Sequence, residues 1–512
     1  MDLVKNIALR FSPTGWPGFA LFVVSAVCVV AFVIFCLYVQ YIHMKYDHIP
    51  GPPRDSFLFG HILTLLKVMR DDKLVHEKFL EWAETYGPVV RINSLHTVEL
   101  LVTSPEATKE ILMSSKYPKD PHVYKRLFSL FGIRFLGTGL ITDPDHDHWY
   151  RQRRIMDPAF SNSYLRGLTH IFNERADYLM EKLEEKAESK TPAPMHHMIN
   201  CVTLDVIAKV AFGLEWNLLD TTQSPFINAI SLCLKGMVTY ARNPFFELCP
   251  WNWKFIKEVK QAAKLLRKTG ADCIAERKRA IQNGEEVPKD ILTQILKCAA
   301  EEKDEDHEQM LDNFVTFFIA GQETTANQIA FTLMELGRSP EIVAKLRKEV
   351  DDIIGSKQEI EYEDLGKLTY LSQVLKESLR LYPPAPGTSR RVVEDIVFDG
   401  IHIPGNVGIF FSSYVSGRLD RFFSDPLKFD PDRFHPDAEK PYFCYFPFAL
   451  GPRSCLGQNF SQIEARILMA KLIQRFELKL IPGQSFEIQD TGTLRPRGGV
   501  VCTVRSRSHA RD

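Results

Sequence analysis

One cysteine in this chain sits where its sulfur can do chemistry. The string Phe448-Ala449-Leu450-Gly451-Pro452-Arg453-Ser454-Cys455-Leu456-Gly457 brackets Cys455 between two glycines. Glycine lets a backbone turn tightly and approach a flat ligand closely. Arg453 puts a fixed cation two residues from the sulfur, where it can hold an acid group and support a thiolate. Phe448 is placed to cover the sulfur, and a helix-like run from Gln458 to Leu472 follows at once. A single thiolate held this way is the kind of axial ligand that pushes electron density onto haem iron and favours O–O cleavage. A lone cysteine is usually a small buried hydrophobe. The residues around the sulfur, more than the sulfur itself, carry the inference.

A second constellation lies in Ala320-Gly321-Gln322-Glu323-Thr324-Thr325, inside the long apolar run Gln309–Arg338. Glycine and threonine are poor choices for a helix interior on propensity alone. Thr324 is positioned to bond back to the carbonyl of Ala320, which bends or opens a helix. The small Ala320-Gly321 face leaves room for a planar group, and Glu323 with Thr324 supplies a carboxyl and a hydroxyl for proton delivery. Two weaker signals accompany it. Glu377 and Arg380 share a helix face at i and i+3, ordinarily a surface pair worth little. Trp149 and Arg153 are one helical turn apart, ordinarily a packed indole on a basic helix.

These groups need a large scaffold, and the composition supplies one. The 512 residues are 45% hydrophobic and 25% charged, an ordinary globular balance. A net charge of -1 gives no reason to expect nucleic acid as a partner. The ten cysteines are scattered with no C-x-x-C pair, which disfavours zinc or iron–sulfur sites and fits reduced thiols facing the cytosol. Residues 18–41 carry no charge and are long enough to span a bilayer as a helix. A retained anchor is favoured over a cleaved signal peptide, because no clear small-x-small cleavage site follows. The organisation expected is a tail at 1–17, an anchor at 18–41, a linker with a stiff proline-rich hinge at 42–54, and one catalytic domain over 55–512.

Apolar residues at helical spacing dominate 74–86, 103–116, 145–160, 164–188, 197–212 and 254–282. The run Gln309–Arg338 predicts a central buried helix. Strand signals are short: Val89–Ile92, Val98–Val102, Val392–Phe398, Ile401–Ile403, Val407–Phe411, Glu477–Ile481 and Val500–Val504. The fold class predicted is mainly α with small β-sheets to one side.

The pattern Phe-x-x-Gly-x-Arg-x-Cys-x-Gly at 448–457 resembles the haem-binding signature of the cytochrome P-450 monooxygenases, with every position filled. Ala320–Thr324 resembles that family's oxygen-activation motif. Glu377-Ser378-Leu379-Arg380 and Phe429-Asp430-Pro431-Asp432-Arg433-Phe434 resemble its Glu-x-x-Arg helix and the segment that completes it. The resemblance implies the P-450 fold, an N-terminal transmembrane helix, and haem b ligated by the Cys455 thiolate. Phe448, Arg453, Gly457, Trp149, Arg153 and Arg390 are implied as further haem contacts, with Thr324 and Glu323 managing protons. Glu377, Arg380 and Arg433 are implied as a buried network locking the loop beneath the haem. Arg151 and Arg154 are left for an acidic electron-donor surface.

Strings such as Glu286–Lys297, Leu311–Gly321 and Leu371–Ala385 are similar to vertebrate members of the family that hydroxylate cholesterol at carbon 24. Tyr124, Leu127, Ala320 and Thr493 are the pocket residues this implies. Such members carry bulky aromatics in the loop after the Glu-x-x-Arg helix, where this chain has Pro386 and Ser389. The implied activity is hydroxylation of a lipophilic, sterol-like substrate with O₂ and electrons from NADPH through cytochrome P-450 reductase. The implied place is the endoplasmic reticulum membrane, with the catalytic domain on the cytosolic side. Rival readings are monooxygenation of a fatty acid, steroid or xenobiotic, a haem-thiolate isomerase, and a non-enzymatic haem or sterol carrier. The Glu323-Thr324 pair argues against the isomerase, which needs no proton delivery to O₂.

Overall fold

The computed structural model describes residues 16–220, 224–243, 246–302, 306–439 and 442–507. Most of the tail expected at 1–17 lies outside them. The first element, helix α1 (Trp16–Tyr46), is apolar along most of its length. Residues Gly18–Tyr46 form a 29-residue stretch long enough to cross a membrane, about 43 Å at 1.5 Å per residue. Its last turns do not stand free. Val39, His43 and Tyr46 are buried, and Lys45 Nζ and Tyr46 Oη donate to the Gly405 carbonyl at 3.2 and 3.4 Å.

The proline-rich segment that follows is extended, as its prolines dictate, but it is docked and not a hinge. The Arg91 amide donates to the Pro50 carbonyl at 2.8 Å, and His61 Nε2 lies 3.0 Å from the Pro52 carbonyl. Ile49 is buried beside them. This line of backbone runs along strand β1 (Val89–Ser94), which pairs antiparallel with β2 (Thr97–Val102). Strand β3 (Gly387–Val392) and strand β4 (Val407–Ser412) complete a four-stranded sheet in the order β1-β2-β4-β3, with β2 and β4 parallel. The single strand expected over 392–398 is in fact split: β3 ends at Val392, and Ile396–Phe398 pairs separately with Ile401–Ile403.

Helices make up most of the rest. Helix α2 (Pro121–Phe128) and helix α3 (His146–Met156) each begin with an aspartate cap, Asp120 and Asp145, whose side chains accept backbone amides. Helix α4 (Met195–Phe212) packs most extensively against the central helix α5 (His307–Leu336). Aromatic rings lock the pair, with Phe212 stacked on Phe318 at 4.7 Å between centroids and tilted against Phe314 at 4.3 Å. Each such fully buried ring contributes about 1.5–3 kcal/mol. Helix α6 (Thr369–Leu381) and helix α7 (Gln458–Arg475) cover other sides of α5. A hairpin of Ile488–Asp490 with strand β5 (Leu494–Pro496) lies against α5 near its middle. The helices Pro225–Arg242, Ile291–Glu302 and Pro340–Ile353 were not among the predicted spans.

Candidate active site

The cysteine loop is held by its own backbone. The Cys455 amide donates to the Phe448 carbonyl at 2.8 Å, and the Ser454 amide to that of Gly451 at 3.0 Å. Gly451 adopts a positive φ of 68°, and a Cβ there would run into the Leu112 carbonyl oxygen. Helix α7 starts immediately after Gly457, so its amide-rich end faces the sulfur. Burial pushes the Cys455 thiol up, while the Gly457 amide and the Arg153 guanidinium pull it down. Arg153 is thus a second cation near the sulfur, beside the Arg453 that the spacing suggests. Arg153 reaches the loop directly, donating to the Ser454 carbonyl at 2.8 Å and to Asp157 at 2.6 Å. Cys455 is exposed only in the sense that its sulfur opens into an internal cavity that it helps to line.

That cavity separates the cysteine loop from the face of α5 carrying Thr316, Phe317, Ala320, Gly321, Thr324 and Thr325. Phe448, Leu456 and Gly457 line the sulfur side, with Trp149, Phe160 and Ile207 among the walls. Thr324 Oγ1 donates to the Ala320 carbonyl at 2.7 Å, the back-bond foreseen from sequence. Gly321 serves the helix packing as well as the cavity, since a Cβ there would stand 3.2 Å from Ile207 of α4.

One end of the cavity is cationic. Arg453 stacks on the Trp149 ring at 4.0 Å and donates to the Asp143 carbonyl at 2.8 Å. Burial, with Arg390 nearby, lowers its guanidinium to about 10. Lys119 lines the same end, and burial pushes its ammonium down to about 8. Behind them Arg390, 1% exposed, donates to Thr388 and to the Ser389 carbonyl, and its Nη2 has no partner. Burial likewise lowers Arg390, with Tyr124 opposing. Buried cations crowded together and short of anions call for an anionic group. A flat ligand with carboxylates at one edge and a metal at its centre fits both this end and the thiolate. The donor set therefore suits haem.

A family model described as Cytochrome P450 matches residues 50–503. The chain belongs to the cytochrome P450 family. Its relatives include animal and plant proteins. Cytochrome P450 4d2 of Drosophila melanogaster is 28% identical over 84% of this chain and 88% of its own length. LUTEIN DEFICIENT 5, a chloroplastic protein of Arabidopsis thaliana, is 30% identical over 86% of this chain and 74% of its own length. The ultra-long-chain fatty acid omega-hydroxylase of Homo sapiens is 30% identical over 84% of this chain and 83% of its own length.

Within this cytochrome P450 the residues singled out from sequence fall into three groups. Cys455, Phe448, Arg453, Gly457, Trp149, Arg153, Ala320 and Thr324 all line the cavity, with Arg390 just behind it. Buried Glu377 and Arg380, with half-buried Arg433, form a cluster elsewhere. Arg380 grips Glu377 through two bonds of 2.7 Å and donates to the carbonyls of Gly417, Pro426 and Lys428. Arg433 lies 3.3 Å from Glu377. The cluster braces residues 417–433, and Tyr445, donating to the Lys376 carbonyl at 3.2 Å, links it to the chain entering the cysteine loop. A third group turns away from the cavity. Glu323 is buried on another face of α5, accepting from Thr493 Oγ1 at 2.6 Å. Tyr124 is bonded to Lys119 and Thr388, and Leu127 packs into the core. Ser389 donates to the Ile409 carbonyl at 3.0 Å within the sheet, and the Pro386 carbonyl accepts the Tyr414 amide at 3.2 Å. Neither of the last two lines the cavity. Lys119 is the cavity cation that sequence reasoning missed; before the cap Asp120-Pro121 it looks like any surface lysine.

Proposed function

We propose that this monooxygenase hydroxylates a C–H bond of a sterol-like lipid, in the manner of cholesterol 24-hydroxylation, at the endoplasmic reticulum membrane. Electrons would come from NADPH through cytochrome P-450 reductase. The observation that carries the proposal is the largely apolar cavity that both the Cys455 sulfur and the Thr324 hydroxyl line. Cys455 would hold the iron of haem b, with Arg453, Arg153, Arg390 and Trp149 at the propionate edge and Phe448 and Gly457 against the ring. The bound haem supplies reductive activation of O₂ and delivery of one oxygen atom to substrate. Thr324 presents a hydroxyl at the cavity wall, from which a proton can be passed on. Glu323 is the neighbouring buried acid that can replenish it. Phe160, Phe317 and Ile207 exclude bulk water, which keeps those protons on course.

Retention of α1 as an anchor is supported by its apolar length and by the burial of its last turns against the catalytic body. A fatty acid as substrate is the second reading, favoured by the human relative named as an ultra-long-chain fatty acid omega-hydroxylase. Reconstitution with reductase and NADPH, followed by mass spectrometry of products from sterol and fatty-acid panels, separates the two. A hydroxysterol is the result expected. A hydroxylated fatty acid alone replaces sterol as the substrate class, and NADPH oxidation with no oxygenated product from either panel rules out both.

A further inference from the structure

We propose that Thr493 is a positioning residue, latching the Glu323 carboxylate in its buried site while Asn327 and His196 align the latch from behind. The inference rests on the monooxygenase reading for its consequence, though not for its geometry. Thr493 has one hydroxyl proton to give. Asn327 Nδ2 donates to its oxygen at 3.0 Å, so that proton is directed to Glu323 Oε2 at 2.6 Å. Asn327 Oδ1 in turn lies 2.7 Å from His196 Nε2. Asn200 Nδ2 is 3.0 Å from both His196 Nε2 and the His196 carbonyl. Donation to the carbonyl leaves Nε2–H free to donate to Asn327. Every bond in the chain then points one way, toward the carboxylate.

Three elements meet here: α4 supplies His196, α5 supplies Glu323 and Asn327, and the hairpin ending in β5 supplies Thr493. Glu323, Asn327 and Thr493 are 6%, 0% and 7% exposed, so water does not substitute for a lost partner. Burial raises the Glu323 carboxyl above its usual range, and the Thr493 bond with Arg495 of β5 partly offsets this. Arg495 also faces His196, beside His197, and burial holds that imidazole down at about 4, hence neutral across the working range. Thr493 therefore sets where Glu323 takes up its proton. It acts through Glu323 and not by touching substrate.

The test uses the full-length, haem-loaded protein. Infrared titration of the buried carboxyl C=O band, assigned by its loss in Glu323→Gln, reads the protonation of Glu323 directly. Thr493→Val keeps the shape and removes the donor; the midpoint should move to higher pH. Thr493→Ser should restore the wild-type midpoint, and His196→Phe should give a smaller shift of the same sign. In NADPH turnover Thr493→Val should release severalfold more hydrogen peroxide per NADPH, with its pH profile displaced upward. An unchanged or lowered midpoint in Thr493→Val, or no titrating Glu323 band in the wild type, overturns the latch. Failure of the monooxygenase reading would show as absent product from wild type and would leave the infrared result standing.

Discussion

At the scale of single residues, two side chains face each other across the cavity, and each has a distinct signature. Cys455→Ala should abolish the reduced carbon monoxide spectrum of thiolate-ligated haem, because among the described residues no other sulfur lines the cavity. Thr324→Ala removes the hydroxyl but not the haem site; NADPH should still be consumed while flux shifts to hydrogen peroxide, measured against hydroxylated product. His196 gives a stability prediction. Its folded value near 4 lies below the unfolded value near 6.5, so the unfolded chain binds the extra proton between them. Stability present above about pH 6.5 is lost as pH falls toward about 4, and His196→Phe should flatten that part of a denaturation-versus-pH curve. The residues legible from sequence here are those fixed by local geometry: the cysteine loop and the Thr324 back-bond need only their own neighbours. Glu323, Thr493 and Ser389 were misplaced because a helix face or strand face is chosen by distant partners. Thr493 meets Glu323 across 170 residues of sequence, from the turn of a hairpin late in the chain.

At the scale of elements, the Glu377–Arg380 pair shows how a motif that looks superficial becomes a brace. Both side chains are fully buried, and together they satisfy three carbonyls and the Asp430 amide. Glu377→Gln would leave Arg380 as an unpaired buried charge, a loss of about 3–5 kcal/mol. Thermal unfolding should register it as a markedly lowered Tm, with poorer haem retention after purification. The major helices and short strands were readable because amphipathic periodicity is strong in them. The break after Val392 was not, since Val393 and the following two residues keep the apolar-and-acidic texture of a strand edge while the chain turns away from β4.

At the scale of the whole molecule, the anchor and the body are one construction. The proline segment reads as a stiff hinge in sequence because its partners, Arg91 and His61, lie elsewhere in the chain. Deleting residues 1–34 should free the protein from membranes, scored by flotation, with little change in Tm. Deleting residues 1–48 should free it equally but lower Tm by a few degrees, since the burial of Val39 and Tyr46 is lost as well.

Because α1 is clamped to Gly405 and its exit strand is stitched to β1, the helix axis and the sheet share a fixed angle. A lever of this kind would transmit the tilt of an anchored α1 to the whole catalytic body. In a bilayer the height and heading of the cavity would then follow the rod, so lengthening it by a few residues would rotate the catalytic body as well as lift it.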